Sequence, residues 1–170
     1  MAGVIAVPAM AANAAAPPAG YPHQAAVHPI SPVKPPVPPA QSAKKPASLN
    51  SQLASYVKTL EGIPYVYGGT TRSGFDCSGL TSYVYHHYGR TIARTADAQF
   101  HEFHAISHAR AQPGDLVFFH VSSNLSSYVY HVGVYEGGDM MVAATTSGGH
   151  VTYQSFSWAG DAVSFGTITH

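Results

Sequence analysis

At Pro113-Gly114 the spacing of apolar residues changes, and this change restricts the fold more than any other feature of the chain. Before that turn the intervals are helical. Leu49, Leu53, Val57 and Leu60 recur at four, four and three residues, with Gly62 as a stop signal just beyond. Leu80, Val84 and Tyr88 repeat the pattern up to Gly89, and Ala96, Gln99 and Phe103 line one side of a weaker third segment. After the turn the residues become β-branched and aromatic. Strands are predicted at Asp115–Phe119, Tyr130–Tyr135, Met140–Thr145, His150–Gln154 and Ala162–Thr169, with Gly137-Gly138-Asp139 and Gly148-Gly149 as turns. Helices first and strands second is an α+β order. Turns this short join only antiparallel neighbours, so the expectation is a central antiparallel sheet of about five strands, a meander with the N-terminal helices packed on one face.

Residues 1–47 obey different rules. They hold eleven of the thirteen prolines, no acidic residue, and only Lys34, Lys44 and Lys45 as charges. Runs such as Pro35-Pro36-Val37-Pro38-Pro39 favour polyproline II and build neither ladder nor core, so this part reads as a disordered Ala/Pro-rich linker. Its first sixteen residues are small and apolar, with Ala-x-Ala spacing as in Ala12-Asn13-Ala14, and resemble an export signal. They are too short to span a bilayer, although no Lys or Arg precedes them and Pro8 interrupts the run. The folded domain is expected over 48–170.

Charge narrows the function. Eight basic and eight acidic side chains cancel, so no polyanion such as nucleic acid is an expected partner. A single cysteine excludes an intrachain disulfide and a CxxC zinc site. Neither a metal nor another cofactor is expected, and nothing in the pattern calls for more than a monomer.

That one cysteine, Cys77, stands where the second helix begins, in Gly74-Phe75-Asp76-Cys77-Ser78-Gly79-Leu80. There the unpaired N–H groups and the helix dipole favour thiolate over thiol. Most lone cysteines are merely small buried hydrophobes, and a nucleophile also needs a base held in place. Among eleven histidines, His86 and His87 lie too far along the helix from Cys77. His101, His104 and His108 have spacing that would share one helix face and read more readily as a polar stripe than as a metal site. His131 differs, because a strand position between Tyr130 and Val132 fixes its ring as a general base requires.

These blocks carry a resemblance. Pro64-Tyr65-x-Tyr67-Gly68-Gly69, Phe75-Asp76-Cys77-Ser78-Gly79-Leu80, Arg94-Thr95, Gln99, Pro113-Gly114-Asp115-Leu116-Val117-Phe118-Phe119 and His131-Val132-Gly133-Val134-Tyr135 occur in the order seen in the NlpC/P60 family of cell-wall cysteine peptidases. The resemblance spans roughly residues 50–169. It implies a papain-like α+β fold, Cys77 as nucleophile and His131 as base. It also implies peptidoglycan stem peptides as substrate, typically cut after D-γ-glutamyl at the bond to diaminopimelate or lysine, and an extracytoplasmic place of action. By the same resemblance Tyr65 lines the nucleophile's pocket, and Asp76 and Ser78 hold the substrate's polar end.

Two positions depart from that pattern. The family's third catalytic residue, most often His, falls twelve positions after the base, and here that position is Ala143. Its loss leaves the imidazole without an orienting partner unless a water, a main-chain carbonyl, Thr145 or His150 substitutes. In addition the family's Arg-Thr-Ser reads Arg94-Thr95-Ala96, one hydroxyl short. The alternatives therefore stay open: a catalytically weak or inactive wall-binding module, or another thiol enzyme such as an amidase or acyltransferase.

Overall fold

A computed structural model describes residues 47–168; the signal-like start and nearly all of the linker lie outside the described residues. Helix α1, Leu49–Lys58, opens on Ser48, whose hydroxyl accepts the Ser51 N–H at 3.2 Å, and buries Leu53 and Val57. A two-residue hairpin, β1 (Thr70–Thr71) and β2 (Gly74–Phe75), follows a loop and leads into helix α2, Cys77–His87. Helix α3 is Ala96–Glu102, capped by Thr95.

The main sheet has six strands: β3 (His104–Ile106), β4 (Leu116–His120), β5 (Val129–Gly137), β6 (Met140–Ala144), β7 (Val151–Ser155) and β8 (Val163–Thr167). All neighbours are antiparallel and the spatial order is β3-β8-β4-β5-β6-β7. This corrects the expectation in two ways. There are six strands rather than about five, because β3 adds an edge too short and too exposed to show alternation. The final strand does not extend a meander but inserts between β3 and β4.

Both faces of the sheet are covered, which is why β4 reads as an apolar run up to His120. On one face Phe118, Val132, Val134, Val142 and Ala144 meet Leu53, Val57, Leu80 and Val84 from the first two helices. On the other, Val117, Phe119, Tyr135, Met141, Ala143, Phe156 and Phe165 form a second, smaller cluster.

Three contacts lock α2 in place. Tyr85 donates its hydroxyl to the Gly114 carbonyl at 3.0 Å. Gly79 lies against the Gly69 carbonyl so closely that no side chain fits there. From α3 the buried Gln99 amide donates to the carbonyls of Ser78 and Ala93 at 3.0 and 2.8 Å and to the Ser82 hydroxyl at 3.0 Å, while Thr81 donates to its oxygen at 2.8 Å. His101, His104 and His108 fall on α3, β3 and a following 3₁₀ turn, so they share no helix face.

Candidate active site

The start of α2 is a charged knot. Asp76 is its N-cap, and one carboxylate oxygen accepts the Gly79 N–H at 2.7 Å. The other accepts the Gly68 N–H at 3.0 Å. Arg94 closes on the same carboxylate with both terminal nitrogens, at 3.0 and 2.6 Å, and also donates to the Ser78 hydroxyl at 3.0 Å. Asp76 and Ser78 are thus held together by Arg94, whose own side chain remains 42% exposed. Both carboxylate oxygens are occupied from within the protein, and Arg94 is the group that sequence reasoning undervalued. Its partner lies eighteen residues away, a separation that no local pattern displays.

Cys77 is the first residue of α2. Burial pushes its thiol up from the ordinary range, against the pull of backbone N–H groups at Val132 and Ser78. The helix start therefore does not by itself yield a standing thiolate; desolvation outweighs it.

His131 lies on β5 directly opposite Phe119 of β4. Alternation along β5 starts its side chain from the face of Phe119 and Tyr135, opposite to Val132 and Val134. Phe119 sits 5.3 Å from its ring, centroid to centroid. The His131 Nε2 atom is buried and has no hydrogen-bond partner among the described residues. Neither side chain named as a substitute for the missing third residue bonds to that atom: the Thr145 hydroxyl accepts the Gly148 N–H at 3.2 Å, and the His150 ring pairs with Thr152 at 3.3 Å. Ala143 is fully buried and offers no polar side-chain atom. Desolvation accordingly pushes the imidazole down to about 4, so the ring is neutral at neutral pH.

Two clefts meet at Cys77. The first, about 350 Å³, is lined by Cys77 and His131 with Tyr65, Thr145, Gln154 and Trp158 among others. The second, about 360 Å³, is lined by Cys77 and Tyr65 with Asp76, Ser78, Arg94 and Tyr128, and His131 takes no part in it. Tyr65 and Tyr130 line both. Of the residues singled out from the sequence, Cys77, His131 and Tyr65 share the first cleft, and Cys77, Tyr65, Asp76 and Ser78 the second. Trp158, the only tryptophan, belongs to no motif and was not foreseen. Among the described residues no group of His, Cys, Asp and Glu is arranged to hold a metal ion.

This geometry has counterparts. A model of the NlpC/P60 family matches residues 62–165. A Listeria grayi protein named "Probable endopeptidase p60" is 38% identical over 128 residues, which cover 75% of this chain and 24% of that one. The "Bifunctional muramidase/DL-endopeptidase CwlT" of Bacillus subtilis (strain 168) is 39% identical over 110 residues, 64% of this chain and 33% of that one. The solved NlpC/p60 domain of the peptidoglycan hydrolase SagA is similar with a TM-score of 0.61 and 32% identity, over 70% of this chain and 98% of that one. The chain thus matches only about a quarter to a third of the length of the two curated relatives, but almost the whole of that solved domain.

Proposed function

The chain belongs to the NlpC/P60 family, and on that premise we propose that it is an exported peptidoglycan endopeptidase. It hydrolyses amide bonds in cell-wall stem peptides with Cys77 as nucleophile and His131 as base. The observation that carries this reading is that Cys77, at the first position of a helix, and His131, on the strand beneath, line one cleft.

The resting pair is a neutral thiol beside a neutral imidazole, since burial raises the one and lowers the other. His131 takes the thiol proton as the Cys77 sulfur attacks the amide carbonyl, so no standing ion pair is required. The tetrahedral oxyanion is met by first-turn N–H groups of α2 and the Tyr65 hydroxyl. His131 then gives its proton to the nitrogen as the C–N bond breaks, leaving a thioester on Cys77. Water adds to that thioester with His131 as base, and acid and free thiol are released.

The direction of the substrate follows from proton transfer. The group that protonates the leaving amine must lie on the amine's side, so the cleft holding His131 takes the amine half. The cleft without His131 takes the acyl half, and its cation is Arg94. A γ-linked glutamyl unit keeps its α-carboxylate free next to the scissile bond, and a guanidinium suits that carboxylate. This supports the D-γ-glutamyl bond as the point of cleavage. The amine half, diaminopimelate or lysine, meets Thr145, Thr146, Ser147 and Gln154, none of them charged.

Export and a tethering linker over 1–47 belong to the same reading. No helix of the described residues is long and apolar enough to cross a membrane. The buried, unpartnered Nε2 of His131 favours a second reading, a wall-binding module with little or no turnover. Purified muropeptides, followed by mass spectrometry, decide between them. New amines with the parent and none with Cys77→Ser support the endopeptidase. Binding without cleavage between pH 5 and 8 supports the binding module.

A further inference from the structure

Among the described residues the buried Nε2 of the base has no hydrogen-bond partner to set the ring, and yet its surroundings are ordered. Resting on the endopeptidase reading, we propose that a chain of aromatic rings, Trp158 stacked on Phe119 and Phe119 tilted against His131, positions the imidazole in place of a polar residue at position 143. Phe119 and Trp158 are then positioning residues for the reaction.

The row of rings is built from the sheet outward. Phe119 and His131 are direct cross-strand partners, the closest pairing a sheet offers, and their rings lie 5.3 Å apart at 47°. The ladder shifts register just beyond, between Phe119 and His120, so that His120 pairs with Val129. Phe119 is fully buried and is also held edge-on by Phe156, at 6.1 Å and 81°. Trp158 lies flat on Phe119, at 5.4 Å and 11°. Its indole N–H donates to the Ser155 carbonyl at 3.1 Å, which anchors the outer ring to β7. Trp158 is nonetheless 62% exposed. A tryptophan held this way at the mouth of the His131 cleft contributes little to the core, so its place calls for another explanation.

Ring packing and a hydrogen bond hold a ring differently. A hydrogen-bond acceptor fixes ring angle and tautomer, and it stabilises the imidazolium. Ring packing fixes the angle alone and leaves the buried nitrogen in apolar surroundings. Such support suits a base that rests neutral and carries charge only in passing. It also explains how β6 can carry alanine at position 143 and still leave a fixed imidazole.

The test is muropeptide cleavage by Trp158→Ala, Trp158→Phe, Ala143→Asn and the double variant Trp158→Ala/Ala143→Asn, each checked for an unchanged melting curve. We expect Trp158→Ala to lower kcat about 10- to 100-fold with KM within about threefold. Trp158→Phe should keep most of kcat, and Ala143→Asn should recover much of the loss in the double variant, because a polar partner then orients the ring. An unchanged kcat in Trp158→Ala, a rise in KM alone, or no recovery in the double variant overturns the proposal. Should the parent cleave nothing, the endopeptidase reading fails separately. The ring packing is then read from alkylation of Cys77, the chain's only thiol, by iodoacetamide at pH 7. Slowing by Trp158→Ala with recovery by Ala143→Asn supports it, and equal rates in all four variants overturn it.

Discussion

Arg94 grips Asp76 with both terminal nitrogens, and Asp76 in turn caps the helix that begins with Cys77. The same guanidinium thus organises the nucleophile's helix and faces the acyl cleft. Arg94→Ala should raise KM for a γ-glutamyl substrate by about tenfold or more and loosen the start of α2 by about 1 kcal/mol. Arg94→Lys restores a charge but not the two-pronged geometry, so it should recover stability better than KM. Steady-state kinetics and thermal melts on the two variants test this.

His131 gives a pH signature with a definite sign. Its folded value lies near 4, below the ordinary histidine value of about 6.5, so the unfolded chain binds more protons between the two. Its contribution to stability is complete above about pH 6.5 and falls as pH drops toward 4. On the order of 2 kcal/mol should be lost between pH 7 and 4.5. Urea unfolding of the parent and of His131→Gln across that range isolates the effect, since His131→Gln should lack this component. The acid limb of kcat/KM should likewise lie well below pH 6.5.

Gln99 saturates its amide between α2 and α3. Gln99→Leu would take the amide away from the carbonyls of Ser78 and Ala93, which keep the Thr81 and Ser82 hydroxyls as donors, at a cost of roughly 1–2 kcal/mol. Because one of those carbonyls follows Cys77 by a single residue, activity should fall beyond what the fraction unfolded explains. Chemical denaturation together with activity per folded molecule measures both.

At Gly79 a methyl group would run into the Gly69 carbonyl and crowd the Asp76 carboxylate. Both neighbours are fixed, so Gly79→Ala should cost at least about 2 kcal/mol and displace the first turn of α2. The measurement is again a melt, with alkylation of Cys77 reporting the local displacement.

Local patterns made α2, its cysteine and the β4 run legible, because each is written within a dozen residues. The place of His131 was legible as well, and alternation with Val132 and Val134 contains its face, although that was not read out. What stayed hidden depends on distant partners. Arg94-Thr95 stood out as a block, yet its pairing with Asp76 comes from how α2 meets the loop before α3. Trp158 follows a polar strand end and precedes Ala159-Gly160, a setting that reads as loop. The loss of an orienting partner at Ala143 was visible by counting. That no neighbouring side chain fills the gap became visible only once Thr145 and His150 proved engaged elsewhere.

The inserted strand β8 has a consequence for how this domain is made. Residues 104–106 and 116–120 are close in sequence but are joined in the sheet only through residues 163–167. A growing chain that has passed β7 but not β8 holds β4 with one open edge and β3 with no partner at all. Closing that gap brings together segments about fifty residues apart, which is slow compared with forming the hairpin β5–β6. Until then the bare edge of β4, all apolar but for His120, is a docking place for the wrong strand. The last strand among the described residues is therefore the one that seals the sheet, and a chaperone would protect this domain most in the interval before it arrives.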